Sequence, residues 1–426
     1  MSFAPDKAAL LAAFDEILEN LRKTEIKTPP RFDEIVKPKR AAHRILYLPV
    51  EIKARELVSK SLIARAAIKH GFNVIMGATW VMNGWSANLP PGIVLFKSSN
   101  AIDAGNMAAW VERGHLTAML DEEVFGIDVT REYLLATIHP HVVALADVVC
   151  AQGENYAATF PYPANVQITG NPRTQTYGAS QGDDILVCLQ SGNINHTAIK
   201  SHGLAHVVEA VLELSAFPLS TPEGAHWADI FRSSIVHECD VLPLVYATID
   251  ALAIAFPERR IRVRPHPIED PTIWTFSQPN VVLDGSGGIV EVLKTAGVVV
   301  FVSGCTTGLD AYLAGVPAVR LGSGGHGISA HMHVEANTAA DAVAAVRAAE
   351  KWGGDLERHF SSADVMPALY RLYKENQAAG DAALTHGVNF TPQQYQRQKF
   401  PDTTAEEVGA LIGRPVRQMA WNTWLI

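Results

Sequence analysis

Ile261-Arg262-Val263-Arg264-Pro265-His266-Pro267 reads as a short buried strand broken by a histidine held between two prolines. Further along, Val298-Val299-Val300-Phe301-Val302 runs into Ser303-Gly304-Cys305-Thr306-Thr307-Gly308. Each β-branched run ends in a turn, so each turn is predicted to lie at the edge of a sheet, where open α/β folds bind their ligands. The residues placed there suit an anion. Proline pre-organises the His266 ring, Arg264 and Glu269 flank it, and the Gly304-to-Thr307 turn opens a helix. Unpaired N–H groups at a helix start and the hydroxyls of Thr306 and Thr307 are phosphate donors. A surface ion pair and a plain helix cap are the alternative readings of these two turns.

The same alternation extends in both directions. Upstream, strands are predicted over residues 44–50, 72–76, 93–96, 116–120 and 147–150, with helices over 53–70, 105–113 and 131–145 between them. A last upstream strand, 166–169, leads to Gly170-Asn171-Pro172-Arg173, and the Gly-, Ser- and Asp-rich stretch 178–184 marks a boundary. A second series follows, with strands over 185–189, 260–263, 281–283, 298–302 and 318–321, a long helix within 225–256 and another over 306–314. Strands alternating with amphipathic helices imply parallel sheets with right-handed crossovers. The expected class is α/β, with two Rossmann-like domains facing a cleft, and 426 residues suit two domains of about 150–200 each. The predicted division is 1–40 as a helix and linker, 41–178, 179–375, and 376–426 as a tail packing back on a domain. The opening helix carries Leu10, Leu11, Phe14, Ile17, Leu18 and Leu21 on one stripe. The tail is expected to close with a helix over 419–426.

Composition narrows the class further. Hydrophobic residues at 48% and charged ones at 19% describe a globular chain. A net charge of −9 excludes nucleic acid as a partner, because phosphate neutralisation needs a basic face. No run has the length of a membrane span, and the N-terminus lacks a secretory signal pattern. Cys150, Cys188, Cys239 and Cys305 show no paired spacing and read as buried free thiols. A cytoplasmic protein is expected, compatible with peripheral attachment at the inner membrane. His139 and His141, His196, His202 and His206, and His326, His331 and His333 match no metal spacing, so neither metal nor cofactor is expected.

Other strand-end segments carry chemistry. Gln190-Ser191-Gly192-Asn193-Ile194-Asn195-His196 concentrates donors, though Gly192 and Asn193 also suit a plain turn. Pro49-Val50-Glu51-Ile52-Lys53-Ala54-Arg55-Glu56 follows the first strand. There Glu51 could cap the helix and Arg55–Glu56 could be a surface pair, or the segment could hold a sugar. Asp121-Glu122-Glu123 follows the fourth strand. Desolvation and mutual repulsion there can raise one carboxylate enough for general-base work, which makes this the leading catalytic candidate.

Together these segments, in order over roughly residues 44–322, resemble bacterial surface-carbohydrate-biosynthesis proteins of the two-domain GT-B glycosyltransferase layout. More distantly, the His-Pro turn followed by the hydroxyl-bearing turn is similar to bacterial sialyltransferases and Kdo transferases. The resemblance implies transfer of a sugar from a nucleotide donor, a CMP-linked ulosonic acid first among them, to a glycan or glycoprotein acceptor. It places the donor on the C-terminal domain, at Arg264, His266, Glu269, Gly304, Thr306, Thr307, Gly192 and Asn193. The acceptor or sugar falls to Arg55, Asn171 and Arg173 of the N-terminal domain, and the base to Glu51, Asp121, Glu122 or Glu123. A UDP-sugar or CDP-glycerol-type transferase, an epimerase of the same fold, and a non-catalytic glycan-binding scaffold are the alternatives. Where capsule-type Kdo transferases carry an acidic residue after the strand-end glutamine, this chain has Ser191-Gly192-Asn193.

Overall fold

A computed structural model describes residues 5–24, 37–126, 130–195, 218–266, 269–302, 306–322, 334–349, 356, 359–380, 382, 384 and 387–426. The chain forms two compact α/β units, each built on a parallel sheet. One comprises Pro29–Glu123, Val129–Thr176 and Asp355–Ile426; the other comprises Met1–Thr28, Val124–Asp128 and Tyr177–Gly354. The opening helix α1 (Lys7–Thr24) belongs to the second of these. There Phe14 stacks on Phe231 with ring centroids 5.9 Å apart, and Lys7 bonds Asp240 at 2.6 Å.

In the first unit the chain runs β1 (Ile45–Val50), α2 (Lys53–Lys69), β2 (Asn73–Ala78), β3 (Ile93–Phe96), α3 (Ala101–Glu112), β4 (Leu116–Met119), β5 (Val148–Ala151) and β6 (Val166–Ile168). These six strands are parallel, in the spatial order β2-β1-β3-β4-β5-β6. Every residue of β1, β3, β4 and β5 is buried, as expected of strands covered on both faces. The order reverses between β1 and β3, which puts the sheet's switch point outside the ends of those two strands. The helix expected over 131–145 is two short ones, Arg131–Thr137 and Pro140–Leu145. Pro140 lacks the N–H that would continue the first helix and instead starts the second.

The second unit holds β7 (Asp184–Cys188), α4 (Pro222–Ala255), β8 (Ile261–Arg264), β9 (Val281–Leu283), β10 (Ala296–Val302), α5 (Thr307–Leu313), β11 (Ala318–Leu321) and β12 (Val334–Ala336). Its spatial order is β12-β11-β10-β7-β8-β9, all parallel, with a switch point between β7 and β10. Both units are therefore Rossmann-like.

The C-terminal segment corrects the expected division. Residues 355–375, predicted to close the second domain, belong to the first unit, where α6 (Met366–Glu375) buries Met366, Leu369 and Tyr373. After α7 (Gln394–Lys399) and α8 (Ala405–Ile412), the chain ends in a hairpin, β13 (Arg417–Ala420) and β14 (Thr423–Leu425), where a helix was expected. β14 pairs antiparallel with β2 and caps that edge. The turn residue Asn422 has φ 43°, a conformation asparagine tolerates. Opposite Thr423 stands Gly77, where a Cβ would come within 2.4 Å of the Thr423 Cα. Only glycine lets the two backbones approach this closely.

Candidate functional site

The first unit's switch point is a charged cluster built by three strand ends and one helix of the tail. Glu51 and Arg55 follow β1, Lys97 and Ser99 follow β3, and residues 121–123 follow β4. Lys97 spans the switch point, reaching Glu51 at 2.7 Å, Glu123 at 2.9 Å and Glu56 at 3.7 Å. Arg55 grips Glu123 with both terminal nitrogens, at 2.8 and 3.2 Å, and reaches Glu56 at 3.1 Å. Lys399 of α7 bonds Glu51 from the other side.

Glu56 proves to be interior, not half of a surface pair. It is fully buried, and its carboxylate accepts the backbone N–H of Glu51 at 2.8 Å and of Ile52 at 3.3 Å. The helix start is thus satisfied by Glu56 reaching back, whereas Glu51 points to Lys97 and Lys399. Burial pushes Glu56 up, against the pull of Lys97 and Arg55. For Glu51, burial is outweighed by Lys97 and Lys399, and its carboxyl is held below the usual range.

The three acids after β4 have three different surroundings. Asp121 is 3% exposed and accepts the Ser99 hydroxyl at 2.5 Å and the Glu123 N–H at 3.0 Å. Burial, with the nearby Glu123 charge, pushes Asp121 up to about 7. Glu123 is exposed at the rim, and the desolvation it suffers is overcome by Arg55 and Lys97, which hold it at about 2. Glu122 is buried against Lys60 at 3.2 Å; the Lys60 ammonium and the second Glu122 oxygen find no hydrogen-bond partner among the described residues. Asp121 therefore combines a sheet-edge position with a pKa suited to moving protons near neutrality.

Asn171 and Arg173 lie after β6. The Asn171 side chain accepts the Arg173 N–H at 3.0 Å, and the short turn they open packs on α2. Both residues are buried, and the Asn171 amide nitrogen lacks a partner among the described residues. Burial pushes the Cys150 thiol up to about 12, which disqualifies it as a nucleophile.

In the second unit, residues 191–195, 264–266, 306–307 and 322 all follow parallel strands and so lie along one sheet edge. Arg264 donates to the carbonyls of Ser286 at 2.8 Å and Gly287 at 2.6 Å. His266 is half-buried, and its carbonyl accepts the Glu269 N–H. Thr306 starts α5 without its side chain capping it, so that hydroxyl is not used as a cap. Two residues after Gly308, Asp310 is buried and accepts the Tyr177 hydroxyl.

The loop after β7 is held from beneath. Glu269 accepts the Ser191 N–H at 2.8 Å and the Trp274 indole at 2.9 Å. Glu238 of α4 accepts the Asn193 N–H at 2.9 Å and its side-chain amide at 2.6 Å. Asn193 is thus bound to Glu238, and Glu269 to Ser191 and Trp274, with Gly192 between the two anchored residues 191 and 193. Burial pushes Glu238 up to about 8 and raises Glu269 as well.

Gly304, Pro267, His196, His202, His206, His326, His331 and His333 lie outside the described residues. Among the described residues no group of three His, Cys, Asp or Glu side chains is placed to hold a metal, and no helix is long and apolar enough to cross a membrane. Sequence reasoning passed over Lys97, Ser99, Lys60 and Glu238. For Lys97 and Ser99 the signal was present: Lys97-Ser98-Ser99-Asn100 directly follows a predicted strand. A cleft of about 420 Å³ opens at the opposite, N-terminal edge of the first sheet, lined by His43, Arg44, Asn73, Tyr373 and Gln377 among others.

No protein-family model and no curated protein matches the sequence. Among solved structures, the chain is similar to MnaA of S. aureus in complex with UDP, at 11% identity, 78% of this chain, 91% of that one and a TM-score of 0.43. It is also similar to the UDP-GlcNAc 2-epimerase of Methanocaldococcus jannaschii, at 10% identity, covering 78% and 99%, with a TM-score of 0.42. The forosaminyltransferase SpnP of spinosyn synthesis matches at 11% identity, covering 78% and 100%, with a TM-score of 0.37.

Proposed function

We propose that the chain is a nucleotide-sugar enzyme, a glycosyltransferase that moves a sugar from a nucleotide to a hydroxyl of a glycan or glycoprotein. The observation that carries this reading is Asp121, buried at a sheet edge, bonded to Ser99, and separated in pKa from Glu123 two residues away. Two carboxylates driven apart in this way divide into a base and a fixed charge. Asp121 takes the proton of the acceptor hydroxyl, the acceptor oxygen forms the bond to the anomeric carbon, and the bond to the donor phosphate breaks with its electron pair on the nucleotide. Within the second unit taken by itself, His266, Thr306 and Thr307 are the candidate ligands of a nucleotide phosphate, with no metal required of them.

The donor sorts into two forms, a CMP-linked ulosonic acid or a UDP-sugar. An epimerase acting on a UDP-sugar would apply the same base to a C–H in place of an O–H, which is why Asp121 also suits the second reading. Thermal stabilisation of the full chain by CMP, CDP, UDP, GDP and ADP tests the proposal. A ligand at a hundred times its dissociation constant adds about 2.7 kcal/mol, readily seen in a melting curve. CMP selectivity would support the ulosonic-acid donor. UDP selectivity would support the UDP-sugar transferase or epimerase, distinguished by whether the product is a glycoside or an isomerised nucleotide sugar. His266→Ala is expected to melt like the native protein and lose the response. No response to any nucleotide in the native chain would sink the reading in favour of a scaffold.

A further inference from the structure

The side chain of Glu123 lies on two cations that are far more buried than it is. Its own exposure is 46%, against 23% for Arg55 and 11% for Lys97. Arg55 meets it fork to fork, through Nη1 to Oε2 at 3.2 Å and Nη2 to Oε1 at 2.8 Å, while Lys97 Nζ adds a third bond to Oε1 at 2.9 Å. This is the geometry by which arginine recognises a carboxylate. The Arg55 Nε–H, buried beside it, has no partner among the described residues, so the fork offers more donors than the protein uses. All of this lies at the switch point between β1 and β3, the place where a ligand of such a sheet is expected.

We propose that Arg55 and Lys97 form a carboxylate receptor with Glu123 as its resident occupant, and that the sugar handled at this edge carries a carboxylate of its own. Replacing one carboxylate by another conserves the local charge: Arg55, Lys97 and Lys399 balance Glu51, Glu56 and Glu123. The displaced Glu123 is already half in solvent and is rehydrated on release, which offsets part of the bonds it gives up to Arg55 and Lys97. Arg55 can then engage the incoming group through Nε as well. The inference rests on the nucleotide-sugar reading only for the claim that the ligand is a sugar.

Glucuronate and glucose differ at one position, a carboxylate against a hydroxymethyl group, and serve as paired probes in titrations of the full chain followed by saturation-transfer NMR. Glucuronate is expected to bind in preference to glucose. Glu123→Gln, which removes the charge of the resident group at an exposed position, is expected to tighten glucuronate about tenfold and leave glucose unchanged. Arg55→Lys keeps the charge but loses the fork, and in the Glu123→Gln background it is expected to abolish the gain. Equal binding of the two sugars, or an unaltered glucuronate affinity in Glu123→Gln, would overturn the receptor. A matching gain for inorganic phosphate would overturn the carboxylate assignment and give the fork to a donor phosphate. Tightened glucuronate binding in a chain that answers to no nucleotide would uphold the receptor and remove the transferase.

Discussion

At the switch point of the first sheet, Glu51, Glu56 and Glu123 face Arg55 and Lys97. Beside that of the second, Glu238 and Glu269 form no ion pair with a described lysine or arginine and accept the N–H groups of Ser191, Asn193 and Trp274. The first arrangement keeps Glu51 and Glu123 charged at a rim that solvent and ligands can reach, above the buried Glu56. The second hides them under a loop whose shape they fix. A cluster of acids is thus not one kind of feature: the partners decide whether it reacts or supports. If that contrast is right, the largest effect belongs to the one acid of the first site that lacks a direct cation. Asp121→Asn is expected to lower the rate of transfer by roughly 10²- to 10⁴-fold, the span of a lost general base, with unchanged folding. Under the proposed transfer, the native rate should rise with pH through about 7, as Asp121 gives up its proton, and this limb should vanish in the variant. A pH–rate profile that keeps the limb in Asp121→Asn would place the base elsewhere.

The next effect concerns stability and the buried pair Lys60–Glu122. With side chains 0% and 1% exposed and 3.2 Å apart, the two form an ion pair with each other and, among the described residues, with no other charged side chain. Removing one leaves an uncompensated interior charge, so Lys60→Met should destabilise by about 3–5 kcal/mol. Lys60→Met with Glu122→Leu removes both charges and should recover most of that loss. Denaturant unfolding of the native protein and the two variants measures how much of the loss the second change recovers. A single variant costing under about 1 kcal/mol would show that water already reaches the pair, and would blur the contrast between the two sheets.

Where the sheet edges lie was legible in the sequence because strands and turns announce themselves. β8 and β10 are β-branched runs that end at Arg264, before Pro265, and at Val302, and both were found at nearly their true bounds. The acids after β4 were legible for the same reason. What was hidden is which of them is charged, because that depends on α2 and on the loop after β3. A trace of it was present. Glu56, Leu57, Lys60, Ile63, Ala64 and Ala67 recur at helical spacing and form one buried stripe, so Glu56 and Lys60 could have been placed inside. Their charge argued for the surface, and only the packed partners, Lys97 and Glu122, explain why the interior accepts them. The closing hairpin was illegible because its pairing depends on Gly77, some 340 residues earlier in the chain.

The smallest effect sharpens the contrast from the side of the second unit. Burial raises the Glu238 carboxyl from an ordinary 4.5 to about 8 in the folded chain. Between those values the folded state holds a proton that the unfolded state has released, so stability must fall as pH rises from about 4.5 towards 8 and level off beyond. Glu238→Gln keeps the shape, cannot ionise, and can still accept one of the two hydrogen bonds from Asn193. Near pH 6 the variant should be less stable by about 1 kcal/mol, the worth of one hydrogen bond. Near pH 9 the order should reverse, because the native protein then holds a buried anion with no cation beside it among the described residues, and the variant does not. Denaturant midpoints of the two proteins at both pH values decide it. A native midpoint that does not fall between them would mean that Glu238 is charged and stabilised after all, and that the two sheet edges treat their acids alike.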